Sequence, residues 1–435
     1  MPKLALLLFL LIAGCARSDP APQAEAGLRL AEIESLRAGF LELACGLDEG
    51  QSLAFDARIE ALRRDAAKLS TESYALRVEH AVAAAGTGRA RVRLEEAFPE
   101  RLPLRLRWFA DGLHVIAVAP EQAELLGARL VAIGGSGAQA LQDRLADSLG
   151  GSAGSARARG GELLARPGML TALGLVEAGA PVALALILAD GTPELRELSP
   201  PDKPIPAARW LQSLDPLAER PPFLAEPETE ARLLWPEGLD AAYLRIARPQ
   251  GGRIAGLGDV LGALETGAPK HVIVDLRDDA GGLLEDTAAF AHALPQRVAL
   301  DGRLAIVVSR RTRASGVATA AILKYRAGAR ALIVGEPAGD GLLHWDGDKT
   351  LALPDSGLRI DVAQAYNDWR HGTRPKDTRY RCDPERAAAN LTYSAAAGDL
   401  DPDLEAPLTY ADYAAGRDPA MAALEELLNA GKQRF

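Results

Sequence analysis

Val272-Ile273-Val274-Asp275-Leu276-Arg277-Asp278-Asp279-Ala280-Gly281-Gly282 is the stretch on which the fold turns. An aliphatic run of buried-strand character meets two glycines, and a helix-length segment opens at Leu283. Glycine lets a backbone come close to a ligand, and the unsatisfied N–H groups of a helix start favour negative charge. Those are the parts of an oxyanion hole, with Gly281 and Gly282 as its backbone donors. A tight β-to-α turn without chemistry is the competing reading of the same spacing.

On either side of this corner the rhythm repeats. Ala242 to Ala247, Val272 to Leu276, Leu304 to Ser309 and Ala331 to Val334 are short aliphatic runs, separated by helix-length segments at about 254–266, 283–295 and 316–327. Strands alternating with helices predict βαβ units and a mostly parallel, buried sheet. The C-terminal helix is well marked. Asp418 can cap it, Pro419 suits its first turn, Met421, Leu424 and Leu428 share a face, and Gly431 stops it. Earlier in the chain, 27–85 carries helix-period spacing (Leu28, Ile33, Leu36, Phe40), with a second such run over about 57–85 that holds few turn signals. Strand-like runs follow at Leu104 to Trp108, Leu113 to Val118 and Arg129 to Ile133. Gly134-Gly135 then turns into a helix from about Ala138 to Leu149. That strand, glycine turn and helix resemble part of a PDZ-like module. Residues 150–160, rich in Gly, Ser, Ala and Arg, read as loop, and the Pro-rich break at 200–207 reads as a boundary.

A chain of 435 residues exceeds one ordinary domain, and 48% apolar content is enough to build real cores. The net charge of −10 without a dense basic run argues against a nucleic-acid partner. Residues 1–15 read MPKLALLLFLLIAGC; the nine apolar residues Leu4 to Ile12 are too few for a bilayer core of about 30 Å but suit a signal peptide. Ile12-Ala13-Gly14-Cys15 resembles a bacterial lipobox, which predicts cleavage after residue 14 and lipidation of Cys15. Residues 15–26 would form a tether, and Ala16 after the cysteine suggests the periplasmic face of the outer membrane. The membrane is then reached through the lipid anchor only. Cys45 and Cys382 remain as a pair that an oxidising compartment would allow to bridge.

Asp275-Leu276-Arg277 through Gly281-Gly282 is similar to the "DLRxD/NxGG" signature of the tail-specific, or carboxy-terminal-processing, serine peptidases. Five further stretches match that family in order. Thr312-Arg313-Ala314-Ser315-Gly316 falls at its nucleophile loop. Val334-Gly335-Glu336-Pro337 resembles its "VGEPT" turn, and Leu353-Pro354-Asp355-Ser356-Gly357-Leu358 its "LPNSGL". Asp401-Pro402-Asp403-Leu404 and Asp412-Tyr413 through Asp418-Pro419 resemble its C-terminal elements. The match covers about 235–428 and extends more weakly toward the N-terminus. It implies a multidomain α/β chain: a helical region (27–90), a PDZ-like α+β module (91–205) and a Clp-protease/crotonase-like core (206–435). It further implies hydrolysis of peptide bonds in peptides or unfolded envelope proteins through a serine nucleophile, with no cofactor or metal.

A serine hydrolase needs a nucleophile, a base and oxyanion donors. Ser315 is the hydroxyl nearest the family's nucleophile, yet the family register places Ala314 there. Where some members carry a lysine base the chain reads Ala338-Gly339-Asp340-Gly341, and the nearest lysine is Lys349. Where others carry a histidine stands Arg89, and a guanidinium does not act as a base. His344 and His371 are the replacement bases to examine. A catalytically inactive peptide-binding or scaffold lipoprotein on the same fold is therefore the alternative reading. Rival motifs fail. Gly150-Gly151-Ser152-Ala153-Gly154 has the G-x-S-x-G form of an esterase elbow but follows a predicted helix. Gly135-Ser136-Gly137 lacks the third glycine of a dinucleotide fingerprint. Asp399, Asp401 and Asp403 are not completed into a calcium loop.

Overall fold

The computed structural model describes residues 22–44, 47–86, 88, 90–226, 230–248, 251–372 and 389–430. Cys15, Cys45, Cys382 and Arg89 lie outside them.

The aliphatic runs near the diglycine corner are the centre of a six-stranded sheet. Its order is Leu404–Glu405, Ala331–Gly335, Leu304–Val308, His271–Asp275, Ala241–Arg245, Arg232–Leu234. Neighbours pair in parallel, except that the edge strand Arg232–Leu234 runs antiparallel. Successive residues feed opposite faces. Ala242, Leu244, Val272, Val274, Leu304 and Ile306 pack under the helices Leu257–Gly267, Glu285–Ala293 and Ser315–Ala327. Tyr243, Ile273, Ala305 and Val307 pack toward Leu424 of the helix Pro419–Ala430. Coverage on both faces is why these strands read as unbroken apolar runs rather than alternating ones.

Two of the sequence motifs meet in one ion network. Arg277 donates to both oxygens of Asp418 (2.7 and 2.7 Å) and to Asp275 (2.6 Å), which also accepts from the Tyr243 hydroxyl at 2.5 Å. Asp418 Oδ1 in turn accepts from the Ala420 and Met421 amides and caps the last helix.

In front of this sheet, Leu104–Phe109, Gly112–Val118, Arg129–Ile133, Val182–Ile187 and Pro193–Leu198 form an antiparallel sheet, flanked by the helices Ala138–Ser148 and Ala153–Leu164. The second helix corrects the loop reading of 150–160. Ser152 caps it by accepting from the Ser155 amide, and its glycines are there for close approach. A Cβ on Gly161 would stand 2.6 Å from the Leu106 carbonyl oxygen, and one on Gly160 2.2 Å from Gln142 Oε1. The glycine content marks a helix pressed against a strand, at the cost of intrinsic helix propensity.

The N-terminal region holds the helices Pro22–Leu43, Glu49–Asp65 and Thr71–Val82. The helix-period run over about 57–85 falls in two helices. Ala66–Lys68 tightens into a 3-10 turn, and Ser70 starts a new helix by accepting from the Ser73 amide. Ala90–Val92 joins this region to the remainder by pairing with Arg359–Asp368, which pairs on its other side with Leu343–Ala352.

Glu79 is fully buried beneath this junction, where its Oε2 accepts from the Val92 amide. Burial pushes its carboxyl from an ordinary 4.5 up to about 7, against the pull of Arg159. The folded chain thus holds this proton more tightly than the unfolded chain. Its stabilisation is complete below pH 4.5 and is lost as pH rises through 7. Glu79→Gln is expected to leave stability unchanged at the acid end and to raise it by about 2–3 kcal/mol at pH 8, read from urea unfolding at each pH. Parallel pH dependence in the variant and the wild type would refute this assignment.

Candidate functional site

The corner at 279–282 and the bend at 309–316 do come together. Thr312 Oγ1 donates to the Leu276 carbonyl (2.8 Å), Ser309 Oγ to the Arg277 carbonyl (2.7 Å), and the Arg313 amide to the Asp279 carbonyl (3.0 Å). A Cβ on Gly281 would lie 2.9 Å from Ala314 Cβ. Together they border a cleft of about 590 Å³, also lined by Ser152 and Arg159 of the capped helix, by Arg91, and by Asp340 and His344.

Ala314 is the residue this architecture presents. Its backbone is held at φ +45°, ψ −121°, a conformation seldom adopted outside glycine and often kept at functional turns. It lines the cleft beside Ala280 and Gly282, and a methyl group occupies the position. Ser315 is the first residue of the helix, is 1% exposed and is not among the residues lining the cleft. Its hydroxyl oxygen accepts from Arg248 Nη2 at 3.2 Å.

Arg248 is committed elsewhere too. It binds both carboxylate oxygens of Asp279 at 2.9 Å and donates to the Leu283 carbonyl at 3.2 Å. Both side chains are sealed from solvent, and burial raises the Asp279 carboxyl above its ordinary range in spite of Arg248. This buried pair fastens the loop carrying residue 279 to the segment that follows the strand Ala241–Arg245. No sequence pattern joins these residues, which are 31 positions apart.

Of the two amides expected as oxyanion donors, Gly281 and Gly282, the first is occupied, and so is the amide of Ala314. The Gly281 amide donates to Asp279 Oδ1 at 3.2 Å, and the Ala314 amide to Asp340 Oδ2 at 2.9 Å. The Gly282 amide makes no hydrogen bond among the described residues. Asp340 stands where part of the resembled family carries lysine. It brings a carboxylate, an acceptor with negative charge, into the cleft that Gly282 also lines.

His344 lines the cleft. Its Nδ1 lies 3.0 Å from the Gly341 carbonyl oxygen, to which an Nδ1–H can donate, and its Nε2 is buried without a hydrogen-bond partner. No hydrogen bond links it to Ser315 among the described residues. His371 sits apart from the cleft, 60% exposed and paired with Asp368 at 3.1 Å. Lys349, on the strand Leu343–Ala352, is exposed and does not line the cleft. No group of His, Cys, Asp or Glu that could hold a metal occurs among the described residues.

No family model matches the sequence, and no curated protein matches it. Solved structures do. Mature CPAF complexed with lactacystin aligns over 94% of this chain and 99% of its own, with a TM-score of 0.58 and 11% identity. The fold is similar to that of CPAF. A second structure of mature CPAF gives a TM-score of 0.53 at 11% identity over 93% of this chain and 96% of its own. The photosystem II D1 C-terminal processing protease aligns over 92% and 97% of the two chains at 14% identity, with a TM-score of 0.35. The likeness to CPAF spans nearly the whole chain.

Proposed function

We propose that this chain is an envelope lipoprotein that binds peptides in a tail-specific-protease-like cleft without cutting them. The observation that carries the reading is the exchange at the bend. The strained, cleft-lining position is Ala314, while the neighbouring hydroxyl of Ser315 is buried against a guanidinium. A guanidinium cannot take a proton at working pH, so nothing in contact with Ser315 activates it. Asp340 adds a negative charge that opposes an oxyanion. What persists is a lined cleft with a backbone corner suited to extended peptide, together with a small antiparallel unit whose strand, Gly134-Gly135 turn and helix support a PDZ-like role in presenting it.

The second reading is serine-type peptidase activity through Ser315, favoured by its place at the helix start beside Gly281. A serine-reactive fluorophosphonate probe and a panel of C-terminal peptides separate the two. We expect no labelling, and peptide binding without turnover that is unchanged in Ser315→Ala. Labelling or cleavage abolished by Ser315→Ala would establish the peptidase instead. The lipid anchor rests on the sequence at Cys15. Cys15→Ala is expected to move the protein from the membrane to the soluble fraction on fractionation, and retention in the membrane would contradict the anchor.

A further inference from the structure

The cleft does not end at the corner. Arg91, Arg159 and Arg313 line both it and an adjoining cavity of about 650 Å³, which shares Glu162 and Arg311 with a third of about 240 Å³. In the middle stretch the charges are matched: Arg93 pairs with Asp361 at 2.8 Å and Arg159 with Glu95 at 3.0 Å.

The last cavity is not matched. It is lined by six arginines and two glutamates, in a chain whose net charge is −10. Arg101 is taken by Glu162 at 2.6 Å and Arg311 by Asp278 at 2.7 Å. Arg105, Arg107, Arg157 and Arg310 have no carboxylate within 4.0 Å among the described residues. Arg107 and Arg157 lie instead over aromatic rings, Arg107 at 5.1 Å from Tyr413 and Arg157 at 4.4 Å from Trp108. Stacking of this kind fixes a guanidinium's plane and leaves its edge donors for a ligand. The Trp108 indole N–H is buried without an acceptor in the same wall. Like-charged groups are costly to assemble unless something anionic joins them. Glu336, which lines the cavity, forms no ion pair within 4.0 Å among the described residues.

We infer that the peptide bound in the cleft is acidic, and that its aspartate or glutamate side chains are received by Arg107, Arg157 and Arg310 in this cavity. The inference rests on the peptide-binding reading above and names the class of ligand. Planar guanidinium forks match carboxylates bidentately, and a positive cavity speeds encounter as well as selecting charge.

The test is fluorescence anisotropy on the full chain with a labelled peptide bearing consecutive glutamates and its glutamine counterpart. The glutamate peptide is expected to bind about tenfold more tightly at low salt. That preference should fall to about threefold or less in Arg157→Gln/Arg310→Gln, with the glutamine peptide unaffected. Should the double variant fail to fold, Arg310→Gln alone, which removes no side-chain hydrogen bond among the described residues, is expected to lower the preference in the same direction. Equal binding of the two peptides would overturn the acidic preference and leave peptide binding standing. Binding of neither would overturn the peptide reading, and this one with it. Displacement by inorganic phosphate that the double variant does not alter would place anion binding elsewhere and overturn the assignment to these arginines.

Discussion

Asp279→Ala is expected to destabilise the chain by about 3–5 kcal/mol, because it leaves the Arg248 guanidinium charged, buried and without its carboxylate. The loss exceeds that of an ordinary hydrogen bond since the partner cannot be rehydrated where it lies. The Gly281 amide loses its acceptor in the same step, so the corner loosens along with the pair. Urea unfolding should show a lower midpoint with little change in slope. Two comparisons sharpen the expectation. Arg248→Met/Asp279→Leu, which removes both charges, should cost less than Asp279→Ala alone. Ser315→Ala, which deletes one hydrogen bond to an arginine that keeps its other partners, should cost about 1–2 kcal/mol. An Asp279→Ala loss no larger than that of Ser315→Ala would mean that the pair is not what holds the corner.

Gly282→Ala is expected to cost about 3–5 kcal/mol as well, by a different route. Its φ of +131° is one that side-chain-bearing residues rarely adopt, and a Cβ there would stand 2.2 Å from the Gly252 carbonyl oxygen. Both obstacles are backbone, so no rotamer change relieves them. If the cleft binds peptide through this corner, the variant should also lose most peptide affinity at temperatures where it remains folded, as measured by anisotropy. Native stability and unaltered affinity would refute the tight corner. Gly135→Ala is the control for strain alone: its φ is +79°, but a Cβ there meets nothing within 4 Å.

The parallel sheet was readable because strands covered on both faces leave runs such as Val272 to Leu276, which helices cannot easily mimic beside glycine breaks. The C-terminal helix was readable from its cap, since Asp418 does accept the amides that its position promised. The helix Ala153–Leu164 was not. Glycine and serine have low helix propensity, and only the three-dimensional closeness of Leu106 to Gly161 explains why they are there. The hairpin of Leu343–Ala352 and Arg359–Asp368 went unread as strands for another reason. The first strand carries Asp346, Gly347, Asp348 and Lys349 in its middle, residues that read as turn. At the candidate site, the meeting of the diglycine corner with the bend at 312–316 was legible through the family resemblance, while the burial of Ser315, the Arg248–Asp279 pair and the hold of Asp340 on the Ala314 amide involve contacts between distant positions that no local pattern encodes.

The cap of the helix Ala153–Leu164 has one more partner. Besides receiving the Ser155 amide, the Ser152 hydroxyl donates to the Gly339 carbonyl, one residue before the aspartate that grips Ala314. A Cβ on Gly154 would likewise rest 3.1 Å from that carbonyl oxygen. The front unit and the corner are therefore geared together through two adjacent peptide units. Any displacement of the helix Ala153–Leu164 would be passed through the 338–340 segment to the bend at Ala314.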